Sequence, residues 1–281
     1  MKLLPKPTGR VVGFVLLIGG VFSGFSAQAV DLEGNYTQGG MLMGQVQPGE
    51  HVVLDGKPIQ TSAQGRFLLG FGRDAKLNHN LLIERKDGAR DTHEIILSKR
   101  DYRIQRIDGL PQSKVTPPKR DWKRIKAETA LVKQARQRKD DREDFLSGFI
   151  WPVQGRISGV YGSQRILNGD PKRPHFGVDI AAPTGTQVKA PADGVVTLTH
   201  NDMFYSGGTL IIDHGLQLSS SFLHLSKILV KEGQRVKQGE PIAEVGATGR
   251  VTGAHLDWRM NLGSARIDPQ LLVPPMPEKG Q

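Results

Sequence analysis

Gly253-Ala254-His255-Leu256-Asp257, close to the C-terminus, is read together with His175-Phe176-Gly177-Val178-Asp179 and Phe222-Leu223-His224-Leu225. These segments place three imidazoles and two carboxylates in one half of the chain. Histidine and aspartate are first-choice zinc ligands, and a histidine that holds no metal can act as general acid or base. Residues i and i+2 of a strand share a face, so His255 and Asp257 are expected to project together, with Leu256 behind them. Pro174 and Gly177 argue against a helix through His175 and Asp179, and a turn running into a strand is expected there. Leu223 and Leu225 flank His224, which predicts a strand whose histidine faces away from its leucines. One such residue alone is more often packed than a ligand; two paired positions and a third histidine together point to a metal site.

Outward from these segments, residues 149–281 alternate glycines with short apolar runs, among them Gly194-Val195-Val196, Thr209-Leu210-Ile211-Ile212, Leu216-Gln217-Leu218, Lys227-Ile228-Leu229-Val230 and Ile242-Ala243-Glu244-Val245. Strands this short, broken by glycine and proline, predict an all-β domain. Residues 111–148 read as a linker and a helix. Pro111 to Pro118 connects, and Lys119 to Phe145 is rich in helix formers. There Trp122, Ile125, Val132 and Ala135 fall near helical spacing, and Leu131 widens the stripe. Asp121 suits the positive end of that helix. Its other faces carry Lys123, Arg124, Lys126, Lys133, Arg136, Arg138 and Lys139. They read either as a surface for an anionic polymer or partner, or as a solvated connecting face. Residues 30–110 alternate like strands, with hairpin pairs at Asp55-Gly56 and Asp87-Gly88, and predict a small antiparallel, sandwich-like β domain. His51, His79 and His93 are scattered through it and read as ordinary strand or turn residues. The fold class expected is all-β: two β domains joined by a basic helix.

The chain of 281 residues carries 38 lysines and arginines against 28 acids, a formal net charge of +10. That balance favours anionic partners. Helix-turn-helix signals, zinc-finger spacing and interleaved aromatic and basic residues are all missing, so nucleic acid is not expected. Without cysteine there is no disulfide, no lipid-modified cysteine and no thiolate-bound metal. Lys2, Lys6 and Arg10, the apolar run Val11 to Phe25 and the small-x-small site Ala27-Gln28-Ala29 predict a cleaved signal peptide over 1–29. Export, to the periplasm or otherwise out of the cytoplasm, with no stable membrane span after cleavage, is expected from it; the alternative reading is an uncleaved anchor.

The segment from Trp151 to Leu272 resembles the lysostaphin-like (LytM-type) zinc endopeptidases. Trp151-Pro152 and Gly159-Val160-Tyr161-Gly162 resemble the family's opening, and His175 to Pro183 its first metal motif. Ala190-Pro191-Ala192-Asp193-Gly194, Ile212-Asp213-His214-Gly215, Phe222 to Ser226, Gly246-Ala247-Thr248-Gly249 and Gly253 to Asp257 follow in the family's order. The resemblance implies a Zn2+ enzyme that cleaves the stem-peptide cross-links of peptidoglycan. It implies His175 and Asp179 as metal ligands, and His224 and His255 as the catalytic histidines. It gives His214 no catalytic role, and His200 has no motif around it. Asp257 stands where the family usually has its third ligand, a histidine. Carboxylate oxygen is a normal zinc donor, so a site of His175, Asp179 and Asp257 is chemically reasonable, with its bound water less acidified. Alternatively Asp257 pairs with Arg259, two residues on. A domain of the same fold without catalysis, binding or activating other wall hydrolases, is the alternative function. Val230 to Val245 also resembles biotinyl or lipoyl carrier domains, but no lysine stands at a hairpin tip between matched halves.

Overall fold

A computed structural model describes residues 30–277; the signal peptide expected over 1–29 lies outside them. Alternation of apolar and polar residues builds seven strands first: β1 (Leu32–Gly34), β2 (Met41–Gln45), β3 (His51–Leu54), β4 (Lys57–Ile59), β5 (Arg66–Gly70), β6 (Asn78–Glu84) and β7 (Arg90–Ile96). They form a three-stranded sheet β1-β2-β5 and a four-stranded sheet β4-β3-β6-β7, joined by a core of Leu42, Phe67, Leu69, Leu81, Ile83 and Ile95. Asp55 and Gly56 both take positive φ, 49° and 75°, which suits the two-residue turn between β3 and β4. His79 is buried and holds that turn, its Nδ1 2.6 Å from the Asp55 carboxylate.

A connecting segment follows with β8 (Ile104–Ile107), a short helix α1 (Gln112–Val115) and α2 (Trp122–Ala135). The expected helix to Phe145 stops ten residues early. Beyond Ala135 the chain is tied to the turn around residues 213–216: the Asp140 carbonyl accepts the Leu216 N–H, and Arg142 pairs with Asp213. The expected apolar stripe is also narrower than its spacing suggests. Val132 and Ala135 pack, whereas Trp122 and Leu131 are exposed.

The remaining strands are β9 (Arg156–Gly159), β10 (Gln164–Leu167), β11 (Asp170–Pro171), β12 (Val178–Ala181), β13 (Gln187–Lys189), β14 (Gly194–Met203), β15 (Gly207–Asp213), β16 (Leu218–Leu225), β17 (Lys227–Ile228), β18 (Arg235–Val236), β19 (Pro241–Glu244), β20 (His255–Leu262) and β21 (Ala265–Ile267). Eight make one antiparallel sheet in the order β18-β14-β15-β16-β20-β12-β9, with β21 on β20; β13-β19-β17 form a smaller sheet. Leu216 and Gln217, expected in a strand, take positive φ of 44° and 64° and form the tight turn into β16. Leu210, Ile212, Phe222, Leu256, Trp258 and Met260 face a core shared with Val188 and Ile242 of the smaller sheet. Leu68 of β5 joins this core. By strand alternation the opposite face of the large sheet carries Ile211, Ser221, Arg259, Asp257 and Asp179.

Candidate metal centre

Val178 and Ile180 anchor β12 in the core, so alternation turns Asp179 to the other face. Leu256 and Trp258 do the same on β20 for His255, Asp257 and Arg259. β12 and β20 are antiparallel neighbours in a register that sets Asp179 directly opposite Asp257. His175 precedes β12 in an irregular turn held by its own N–H to the Ser163 carbonyl, 2.8 Å, and by its carbonyl accepting the Gly162 N–H, 2.7 Å. Its Nε2 lies 3.1 Å from Asp179 Oδ1 and 3.4 Å from Asp257 Oδ1. The three donor atoms lie within 4.8 Å of one another.

Two donors on one tetrahedral zinc are roughly 3.3 Å apart at ordinary bond lengths, and the two imidazole–carboxylate distances bracket that value. Both ring nitrogens of His175 and Oδ1 of Asp179 are buried without a hydrogen-bond partner. Orphaned buried polar atoms are costly unless something satisfies them. The donor set fits a divalent cation.

His224 does not follow simple alternation. It takes a positive φ of 67°, and the β15–β16 register shifts between Gly208 and Leu210. Phe222 and Leu225 therefore both enter the core, while Leu223 sits opposite Asp257. The irregularity delivers the imidazole to the site edge, its ring centroid 4.9 Å from that of His255. His224 Nδ1 donates to the Thr248 carbonyl, 2.8 Å, and His255 Nδ1 to the Gly253 carbonyl, 2.9 Å. A carbonyl only accepts, so Nδ1 of each ring is the donor and Nε2 is the nitrogen left facing the site. His255 Nε2 lies 3.7 Å from Asp179 Oδ1.

Guanidinium groups meet both carboxylates. Arg259 Nε donates to Asp257 Oδ1 at 2.9 Å and its Nη2 to Oδ2 at 2.6 Å. Arg165, on β10, donates from Nη2 to Asp179 Oδ2 at 2.7 Å. Asp257 thus pairs with Arg259 and at the same time faces His175 Nε2. Burial pushes the Asp257 carboxyl up, but Arg259 and His175 outweigh it and hold it well below the usual carboxylate range. Asp179 is also held low: His175 and Arg165 overcome burial and the facing Asp257. Burial lowers His224 to about 4 despite the nearby Asp257 carboxylate, so this imidazole is neutral near pH 7.

The remaining histidines lie elsewhere. His214 is fully buried between the Asp193 carbonyl and Ser220 Oγ, and the His200 ring accepts the Asp202 N–H at the end of β14. Sequence reading missed Arg165 and the glycines that make room. A Cβ on Gly159 would meet Asp179 Oδ2 at 2.3 Å, and one on Gly177 would meet Asp257 Oδ1 at 2.6 Å and Arg259 Cγ at 2.5 Å. Gly159 and Gly177 lie within quoted motifs, whereas nothing around Arg165 marks it.

The site is covered. Relative exposure is 1% for His175, 6% for Asp179, 5% for His224 and 0% for Asp257. β8 pairs in parallel with β10 beside it. Lys114 of α1 reaches the Phe204 carbonyl, and Arg250 reaches the Lys114 carbonyl. Glu128 of α2 accepts the Phe204 N–H. Val132 and Ala135 rest on Leu198, Met203 and Ile211, and Arg136 Nη2 donates to Ser221 Oγ at 2.7 Å. Ile211, Ser221 and Arg259 align across β15, β16 and β20, so α2 ends on the sheet face that carries Asp257.

Comparison with known proteins gives a consistent set. A profile of Peptidase family M23 matches residues 173–269. A solved structure of a Pseudomonas aeruginosa protein assigned to peptidase M23 is 30% identical, covers 85% of this chain and 95% of its own, and superposes with a TM-score of 0.66. The Vibrio cholerae peptidoglycan DD-endopeptidase ShyA is 36% identical over 68% of this chain and 42% of its own length. ShyB of the same organism is 43% identical over 34% of this chain and 22% of its own. The chain spans less than half the length of these curated relatives.

Proposed function

This chain belongs to peptidase family M23, and from that premise we propose that it is a periplasmic zinc metalloendopeptidase that cleaves the peptide cross-links of peptidoglycan. The observation that carries the reading is the convergence of His175 Nε2, Asp179 Oδ1 and Asp257 Oδ1 beside two further imidazoles. In this reading those three residues hold the ion. When bound, zinc supplies Lewis acidity and an acidified water. His224, neutral because it is buried, takes a proton at Nε2. His255, at the more open edge, steadies the negative charge that develops on the scissile carbonyl. The Nδ1–H bonds to Thr248 and Gly253 fix each ring so that Nε2 is the reacting nitrogen. The names of the Vibrio relatives support a DD cross-link between stem peptides as the bond cleaved.

A second reading is favoured by one observation. Arg165 and Arg259 already pair with the two carboxylates, which would suit a metal-free domain of the same fold that binds or activates other wall hydrolases without cleaving. Metal analysis of the purified chain, with cross-link cleavage measured for wild type and Asp257→Ala, separates them. The enzyme reading expects about one zinc per chain, with zinc and cleavage lost together in the variant. A metal-free wild type that cleaves nothing overturns it.

A further inference from the structure

Asp257 carries a charge that a histidine in its place would not, and Arg259 lies against it. Both Asp257 oxygens are engaged, Oδ1 by Arg259 Nε at 2.9 Å and Oδ2 by Nη2 at 2.6 Å. This is the bidentate fork that matches carboxylate geometry. Oδ1 is also the oxygen that faces His175 Nε2, at 3.4 Å. A carboxylate oxygen accepts along two lone-pair directions, so the Arg259 bond leaves Oδ1 able to serve as a donor to a cation. The two residues leave the same strand on the same face, and Asp257 is fully buried. Gly177 supplies the space: a Cβ there would strike Asp257 Oδ1 and Arg259 Cγ.

We propose that Asp257 and Arg259 act as one unit in which the guanidinium offsets the carboxylate's charge, making the pair the electrostatic equivalent of a neutral imidazole ligand. The inference rests on the reading of His175, Asp179 and Asp257 as the metal-holding set. It makes Arg259 a positioning residue: it fixes the Asp257 rotamer and returns the positive unit that aspartate in place of histidine removes. Aspartate alone would bind a cation more tightly and acidify its water less, because one more negative charge is spent on the ion. Paired with Arg259 that excess is offset, and the lower acidification expected from the sequence no longer follows. Arg165 is a separate contact, from β10 to Asp179.

Zinc affinity of the purified full chain, by competition with a chromophoric chelator, tests this without reference to activity. Arg259→Gln keeps a hydrogen-bond donor and removes the charge; Arg259→Lys keeps the charge and loses the fork. A unit charge a few ångströms from a divalent ion, even in a well-screened site, changes affinity by about tenfold or more. Arg259→Gln is therefore expected to bind zinc at least about tenfold tighter than wild type, and Arg259→Lys within about threefold of it. Thermal unfolding with and without zinc gives a second readout: the metal should raise the Tm of Arg259→Gln more than that of wild type. Equal or weaker zinc binding by Arg259→Gln overturns the proposal, as does a variant that zinc fails to restore to the folded state. A wild type that takes up no zinc overturns both this inference and the metal-holding reading. A wild type that binds zinc and cleaves nothing overturns only the catalytic reading.

Discussion

At the scale of single residues, His224 holds the most unusual conformation in the site. A non-glycine residue in the left-handed region costs about 1–3 kcal/mol and persists only where its surroundings fix it. Here the Thr248 carbonyl holds the ring and the β16 irregularity sets the backbone. His224→Ala removes the proposed base while leaving His175, Asp179 and Asp257 in place. Cross-link cleavage is expected to fall by about 10²–10⁴-fold with zinc content unchanged, as followed by kcat/KM and metal analysis. Loss of zinc in step with activity would reassign His224 to holding the metal site. The identities of the five polar residues were legible in the sequence because each stands in a short motif. The conformation of His224 was not: Leu223 and Leu225 suggest plain alternation, and only the register shift at Gly208 breaks it. Arg165 was not legible either, because its partner lies 14 residues away on another strand.

At the scale of elements, β12 and β20 make the site and the connecting segment covers it. The cover is tied at α1 by Lys114 and at α2 by Glu128, which accepts both the Phe204 N–H and the Arg124 guanidinium. Arg124 also reaches Asp202. Bonds of this kind near solvent contribute about 1 kcal/mol or less each, so the cover is held by a few weak links over a small apolar patch. In Arg124→Ala/Glu128→Ala the imidazoles of His224 and His255 are expected to react several-fold faster with diethyl pyrocarbonate, with the circular dichroism spectrum retained. Unchanged modification rates would show that these links do not control access. The existence of a basic helix was legible from its composition. Its early end at Ala135 and its seat on the site face were not, since both depend on Asp213, Leu216 and Ile211, more than seventy residues downstream.

At the scale of the whole molecule, one buried imidazole ties stability to pH. His214, fully buried in the turn between β15 and β16, has its pKa pulled by burial from 6.5 to about 4. The unfolded chain takes up a proton near 6.5 that the native state refuses until about 4, so this contribution to stability is complete above 6.5 and is lost as pH falls toward 4. Urea unfolding should show about 2 kcal/mol less stability at pH 5 than at pH 7 from this group, and His214→Gln should flatten that dependence. An equal dependence in the variant would place the sensitive group elsewhere. The sequence by itself determined the all-β class, the strand-built character of both halves and the set of residues able to hold a metal. Those depend on local period, turn chemistry and side-chain donor type, which are written residue by residue. The tertiary structure alone decided that Asp179 faces Asp257, that Arg165 and Arg259 pair with these carboxylates, that β8 pairs with β10, and that α2 ends on the sheet face that carries Asp257. Strand register and the packing of one segment on another arise from contacts between residues far apart in the chain. No local pattern carries that information.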